Sequence, residues 1–397
     1  MRSKVFIDRK MHIDCSKNVF MVDFLMFCSG PTKKYKEWHQ KSKDKLLQDL
    51  GRSHRSELWI KRISEIYNLI RVALRIPEDY KIGFINGSAT SAVDALLLNL
   101  LGNRPCNVLK TGVFSNRWSQ EIFNKMKMPG KTIEFQKDAI NQINQINQIN
   151  AESDKLNQCH DNKYLNNYIN PNPNCDFVFT MIETTNGFKW FDEEVLKKIN
   201  GLKICDVTSA VFCEEIDWNL IDCGAFSFQK ALGGEGGIGC IVVNSKALEN
   251  LNKKFTVPRF MEINDNIFDA KLNNTPSLIA LNDIEINLNI FMEKGGLSNA
   301  IKQCKENQIN IMKSLGDLFY KTSDANGMLC VDFKKQLGEK SQLIKILSKK
   351  CEDYGIFDIC GHPEDDPCFR FWAGPTLEWS EIQPYINKFI NIVENDI

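Results

Sequence analysis

The sequence predicts an α/β protein: a large domain built on a mostly parallel, helix-covered sheet, followed by a smaller C-terminal α+β domain. Two patterns carry that prediction. From about residue 57 to residue 243, apolar runs of strand length alternate with stretches of helical period, as strand–helix units do. After about residue 275 the alternation gives way to long helices and then short strands. The length of 397 residues suits one large domain and a smaller one.

Composition narrows the class of function. Hydrophobic residues make up 43% and charged residues 25%, and Lys+Arg 50 balances Asp+Glu 50, so no basic surface calls for nucleic acid. The 14 cysteines are scattered, with no C-x-x-C pair and no cluster with histidine. They read as reduced thiols, and no metal site is expected. The apolar patch at residues 19 to 28 is interrupted by Asp23 and falls short of the roughly 20 apolar residues that a membrane span needs. It reads as an N-terminal extension leading into a buried strand, and the expected location is cytoplasmic.

The elements follow in order. Residues 57 to 75 place apolar side chains at helical spacing, and Pro77 stops that helix. "KIGFING" reads as a strand, "NGSATSA" as a polar turn, and "AVDALLLNLLG" as a mostly buried helix. "PCNVLK" starts a second strand, loop and helix, and "CDFVFTMIETTNGF" is a strand ending in hydroxyls. Three more strands come from "LKICDVTSAV", "CGAFSFQKALGG" and "GIGCIVVN". Between residues 138 and 174 the Asn-rich run with its "QINQINQIN" repeat has too little apolar surface to offset its ordering entropy, and reads as a flexible surface insertion. The expected organisation is therefore an extension and arm over 1–50, a large domain over 51–275, and a small domain over 276–397.

Two chemical signatures compete at residues 225 to 244. Gly234, Gly236 and Gly239 match G-x-G-x-x-G, but a dinucleotide fingerprint must follow a strand and open a helix. Here the glycines run straight into the β-branched "CIVVN", so they read as a tight strand-to-strand connection. Lys230 lies between the buried-strand pattern "AFSF" and the small, apolar "ALGG". Desolvation there would lower the amine's pKa and favour the unprotonated form that attacks a carbonyl. Asp206, 24 residues earlier at a strand's C-terminal end, is placed to pair with the ring nitrogen of pyridoxal phosphate. "GSATSA" puts small and hydroxyl residues at a helix N-terminus, which favours a phosphate.

The stretch "CDVTSAVFCEEIDWNLIDCGAFSFQKALGGEGGIG" resembles the cofactor-binding stretch of the phosphoserine aminotransferases, class V aminotransferases with the type I pyridoxal phosphate fold and its seven-stranded sheet. "FCSGP", "LGRSHRS", "NNTPS" and "FRFWAG" occur in the expected order. The resemblance implies that Lys230 bonds to the cofactor and shuttles the substrate's α-proton, while Asp206 keeps the ring nitrogen protonated. It further implies that Gln229 and Thr184 contact the cofactor, that Phe114 stacks on its ring, and that Ala89 and Thr90 cup its phosphate. Asn274 and Thr275 would reach the phosphate of a neighbouring subunit, making the protein a homodimer with shared sites. Ser29, His54, Arg55 and Arg370 would bind substrate, Arg370 gripping a carboxylate.

The implied reaction is ping-pong amino transfer between L-glutamate and 3-phosphohydroxypyruvate, a phosphorylated 2-oxo acid. It would serve serine biosynthesis, and the related phosphorylated hydroxythreonine of vitamin B6 synthesis is also allowed. One loop departs from the family. Where a second arginine often stands, this chain has Pro363 followed by Glu364, Asp365 and Asp366. That change admits a class V enzyme acting on unphosphorylated alanine- or serine-type substrates, or a non-catalytic relative. A nucleotide-dependent oxidoreductase rests on the glycine pattern alone.

Overall fold

The computed structural model describes residues 24–134, 169–334 and 339–396. The chain enters on a short strand, β1 (Leu25–Met26), and then a helix, α1 (Trp38–Lys45). The helix α2 (Glu57–Leu74) follows, where the Ser56 hydroxyl caps the start by accepting from the Trp59 N–H. Its buried Trp59, Ile63, Ile66, Tyr67 and Ile70 recur every three or four residues and make one core-facing stripe. The helix ends at Arg75, whose φ of 55° is left-handed, two residues before Pro77.

The large sheet is laid down by β2 (Lys81–Gly87), β3 (Cys106–Lys110), β4 (Gly130–Glu134), β5 (Asp176–Thr180), and, after the small hairpin β6 (Ile182–Glu183) and β7 (Phe188–Lys189), by β8 (Lys203–Asp206), β9 (Cys223–Ser227) and β10 (Gly237–Val243). Their spatial order is β2-β10-β9-β8-β5-β3-β4. Every contact is parallel except those of β10, which runs antiparallel between β2 and β9. All five residues of β5 and of β9 are buried, as expected for strands covered on both faces. Two hydrophobic clusters form the covering layers: Ile85, Leu96, Val108 and Ile241 belong to one, and Phe84, Phe179, Phe226 and Phe228 to the other. The helices α3 (Ala89–Leu100) and α4 (Val113–Gln120) follow β2 and β3.

The C-terminal part begins with the helices Leu278–Glu293 and Gly296–Leu315. A three-stranded antiparallel sheet follows, made of β11 (Phe319–Lys321), β12 (Met328–Phe333) and β14 (Phe369–Trp372), with the helices Lys340–Asp353 and Trp379–Asp396 beside it. β13 (Ile356–Phe357) pairs in parallel with β1, Leu25 opposite Ile356. Residues 25 and 26 are therefore stitched to the C-terminal part. Asp283, buried in the helix Leu278–Glu293, holds the chain further on by accepting from the Lys34 amine at 2.9 Å and the Trp38 indole at 2.8 Å.

The expected insertion lies mostly outside the described residues, and so do the first 23 residues of the expected extension.

Candidate active site

Chemistry-bearing residues collect at one edge of the sheet because β2, β3, β5, β8 and β9 share a direction and end there. Asp206 closes β8, Lys230 follows β9, Glu183 follows β5, Phe114 follows β3, and Ala89 follows β2. Crevices beyond the carboxyl ends of parallel strands are where such sheets bind ligands.

Lys230 is buried, and its Nζ donates to the Ser29 carbonyl at 3.2 Å. Burial pulls its pKa down to about 8 against the raising influence of Asp206 and Cys28, and Arg370 adds to the lowering. An amine so placed is about one-tenth unprotonated at pH 7, far more than an ordinary lysine. Its Nζ stands 5.9 Å from the centre of the Phe114 ring. Asp206 is also buried. Burial raises its pKa, while hydrogen bonds from Thr208 and the charge of Lys230 hold it down. Its Oδ1 accepts from the Thr208 N–H at 3.0 Å and hydroxyl at 2.6 Å, and its Oδ2 from the Trp118 indole at 3.2 Å. The carboxylate is thus fixed with acceptor capacity left for a cationic ring nitrogen.

At the end of β2, Gly87 has a φ of +122° and lies against Ser91, so the chain can turn sharply into α3. Ser88 at the start of α3 makes no side-chain capping bond, which leaves the first N–H groups open to an anion. Gly239 on β10 allows this approach: a Cβ there would lie 2.4 Å from the Ser88 carbonyl oxygen. Gly239, the last glycine of the G-x-G-x-x-G pattern, thus serves packing beneath the α3 N-terminus. A flat ring between Phe114 and Lys230, a nitrogen at Asp206 and a phosphate at Ala89 and Thr90 match this donor set, so the residues present fit pyridoxal phosphate.

Phe114 is aimed by a residue that sequence reading passed over. Glu183 is fully buried, and its carboxylate accepts from the N–H of Phe114 at 3.0 Å, the N–H of Ser115 at 3.1 Å and the hydroxyl of Ser115 at 3.1 Å. It therefore caps α4 from 69 residues away. A Cβ at Gly112 would come within 2.2 Å of Glu183 Cγ, so glycine is required there. Burial pushes the Glu183 pKa up to about 7 against those hydrogen bonds, with Asp365 adding to the rise.

Glu183→Ala strands the buried N–H of Ser115 and the half-buried N–H of Phe114, and we expect a loss of about 2–4 kcal/mol in denaturant unfolding. The sign of its pH dependence is fixed. Between the usual carboxyl pKa and about 7, the folded state keeps a proton that the unfolded state releases, so Glu183's contribution is full at low pH and is lost as pH rises through about 7. Glu183→Gln should remove that component of the stability profile.

Thr184 and Ser209 share a buried hydroxyl–hydroxyl bond, and the Gln229 side-chain oxygen accepts from the Ser227 hydroxyl. Arg370, on β14, donates from Nε to the Cys360 carbonyl at 3.2 Å. It has no carboxylate partner among the described residues. The acidic loop turns inward: Asp365 Oδ2 is buried with no hydrogen-bond partner, and its charge is felt by Glu183 and Cys368.

The remaining expected residues form a different patch. Arg55, Asn274 and Thr275 line a concavity of about 410 Å³, whereas the Lys230 amine contacts Ser29 and Phe114. His54 is buried beside Arg55 with Nε2 unpartnered, and burial, then Arg55, lowers its pKa. Sequence reading also missed Trp118 and Thr208. Trp118 lies one helical turn after Phe114, and Thr208 sits two residues after Asp206, the spacing of a local side-chain turn. Both signals were present in the sequence.

Known proteins resemble this chain in sequence and in fold. Phosphoserine aminotransferase from Methanosarcina barkeri is 30% identical over 380 residues, spanning 90% of this chain and 93% of that protein. Among solved structures, a phosphoserine aminotransferase from Cytophaga hutchinsonii superposes with a TM-score of 0.74 at 17% identity, covering 95% of this chain and 100% of that one. Alanine–glyoxylate aminotransferase from Nostoc sp. superposes with a TM-score of 0.73 at 14% identity, covering 98% of this chain and 100% of that one. The fold is therefore that of the type I pyridoxal phosphate aminotransferases, and it does not by itself select a substrate. No family model matches the chain. No helix among the described residues is long and apolar enough to cross a membrane.

Proposed function

Since the chain belongs to the phosphoserine aminotransferase family and is a pyridoxal phosphate-dependent transaminase, we propose that it exchanges an amino group between L-glutamate and 3-phosphohydroxypyruvate, as a cytoplasmic homodimer with two shared sites. The observation that carries this reading is the buried Lys230 amine, its pKa lowered to about 8, at the face of Phe114 and under the charge of Asp206. When bound, the cofactor supplies a carbonyl for the amino group and a protonated ring that draws electrons from the substrate's α-carbon.

The chain's own residues do the rest. Lys230 Nζ takes the proton from the substrate α-carbon and returns one to the product, acting as base and then acid. Asp206, held by Thr208 and Trp118, keeps a proton on the ring nitrogen, because a buried carboxylate stabilises the cation facing it. Ala89 and Thr90 bind phosphate through the open end of α3, and Phe114 covers one ring face. Thr184 and Gln229, each pinned by a neighbouring hydroxyl, flank the ring. Ser29 and Arg370 hold the substrate, Arg370 gripping the α-carboxylate in two-pronged fashion. Asn274, Thr275 and Arg55, with His54 next to Arg55 in the chain, serve the site of the second copy, a role supported by the separate concavity that Asn274, Thr275 and Arg55 line.

One observation favours a second reading, in which the substrates are unphosphorylated. The loop carrying Pro363 brings the unpaired Asp365 carboxylate inward where a cation would help. The two readings separate in single-turnover half-reactions followed by the absorbance of the cofactor's aldehyde form. O-phospho-L-serine should convert the cofactor about 100-fold more efficiently than L-alanine or L-serine, the equivalent of one buried charge-assisted contact set. Conversion by alanine or serine but not by phosphoserine would remove the proposed substrate.

A further inference from the structure

We infer that Arg259 is a specificity-determining residue: together with Arg55 it forms a two-arginine clamp for the phosphate of a phosphorylated substrate held in the neighbouring subunit's site. The inference rests on the reading that two copies share their sites and that one substrate is a phosphate monoester.

The concavity of about 410 Å³ holds Arg55, Arg259 and Phe260 opposite Asn273, Asn274 and Thr275. Arg62, Arg71, Arg75 and Arg104 are all engaged by carboxylates. Neither Arg55 nor Arg259 has an ion-pair partner among the described residues, so two exposed arginines line one hollow. A dianionic phosphate is the ligand that two cations around one hollow suit, since each guanidinium can donate to it in two-pronged fashion.

The wall carrying Arg259 is rigidly built. Asn99, buried in α3, donates to the Met261 carbonyl at 3.0 Å and accepts from the Ile263 N–H at 3.2 Å. Asn273 donates to the Glu262 carbonyl at 2.7 Å and accepts from the Asn264 amide at 3.1 Å. Asn86, near the end of β2, donates to the Thr275 carbonyl at 2.8 Å. Arg259 is thus tied to the helix whose N-terminus fits the cofactor phosphate, and to the strip bearing Asn274 and Thr275.

Charge balance gives the reason. The loop over residues 361–367 carries three acids, Glu364, Asp365 and Asp366, and has Pro363 after His362 where an arginine would supply a permanent charge. Arg370 is committed to the α-carboxylate in the proposed reaction. A phosphate therefore has to find its cations elsewhere, and a pair contributed by the second copy answers that need.

The test is Arg259→Gln in the holoenzyme, with each half-reaction measured separately and inorganic phosphate binding measured by calorimetry. Efficiency with O-phospho-L-serine should fall about 10- to 100-fold, and phosphate affinity should fall in step. With glutamate, whose distal group carries one negative charge instead of two, the loss should be about threefold or less. Arg259→Lys should recover part of the phosphoserine loss but not all, because it restores charge without the fork. Equal losses with both donors, an unchanged phosphoserine rate, or weakened cofactor retention would overturn the inference while leaving the transaminase reading intact. Failure of the unmodified enzyme to react with phosphoserine would overturn that reading and the inference together.

Discussion

Lys230→Ala should leave a folded protein that has lost at least about 10²–10⁴-fold in kcat, the range attached to a positioned acid–base group alone, with the loss of covalent attachment adding to it. The folding side of this expectation follows from what the amine touches. It is buried, its hydrogen bond is to the Ser29 carbonyl, and its lowered pKa reports an environment that disfavours its charge. Removing it therefore costs little stability, and the unfolding midpoint at fixed protein concentration should move by less than the Glu183→Ala change moves it. Borohydride reduction followed by peptide mapping should place a pyridoxyl label on Lys230 of the unmodified enzyme and nowhere in the variant. A label on another lysine, or a variant retaining more than about a hundredth of the activity, would mean the reactive amine lies elsewhere.

The sequence made some of this legible and hid the rest for physical reasons. Strand, turn and helix around β2 and α3 could be read because the apolar period changes there and Gly87 marks the change. Lys230 and Asp206 stood out because each sits at the end of a buried run, where a charge needs a purpose. The direction of β10 was not legible: a fully apolar run has no period that distinguishes a parallel from an antiparallel neighbour. Glu183 was invisible for a different reason. In "IETTNG" it reads as one polar residue at the hydroxyl-rich end of a strand, and its role exists only once the fold brings it to the start of α4. Leu25 was legible as part of a buried strand but not as a partner of Ile356, since strand pairing across such a separation leaves no local mark. Arg259 belongs to the same class: an exposed arginine in "VPRFM" carries no signal until Arg55 shares its hollow.

Asp206→Asn is the second large effect, and it separates charge from shape. Asparagine fills the same space and can still accept from Thr208, but one of its ends must present an amide N–H toward the Trp118 indole, which is itself a donor. The steric change is small, while the charge that stabilises a protonated ring nitrogen is gone. A preorganised electrostatic group of this kind is worth about 10²–10³ in kcat, and that is the loss expected. The pH behaviour supplies an independent check, because Asp206 acts to raise the Lys230 pKa and its removal must therefore lower it from about 8. In apoenzyme, the rate at which Lys230 captures added pyridoxal phosphate should rise with pH through a midpoint near 8 in the unmodified chain, and through a lower midpoint in the variant. Trp118→Phe, which removes one hydrogen bond from the carboxylate and keeps its charge, should leave that midpoint close to its original position and cost only several-fold in kcat. A midpoint that moves upward in Asp206→Asn, or a Trp118→Phe loss as large as that of Asp206→Asn, would show that the carboxylate acts by holding the shape of the site instead of by its charge.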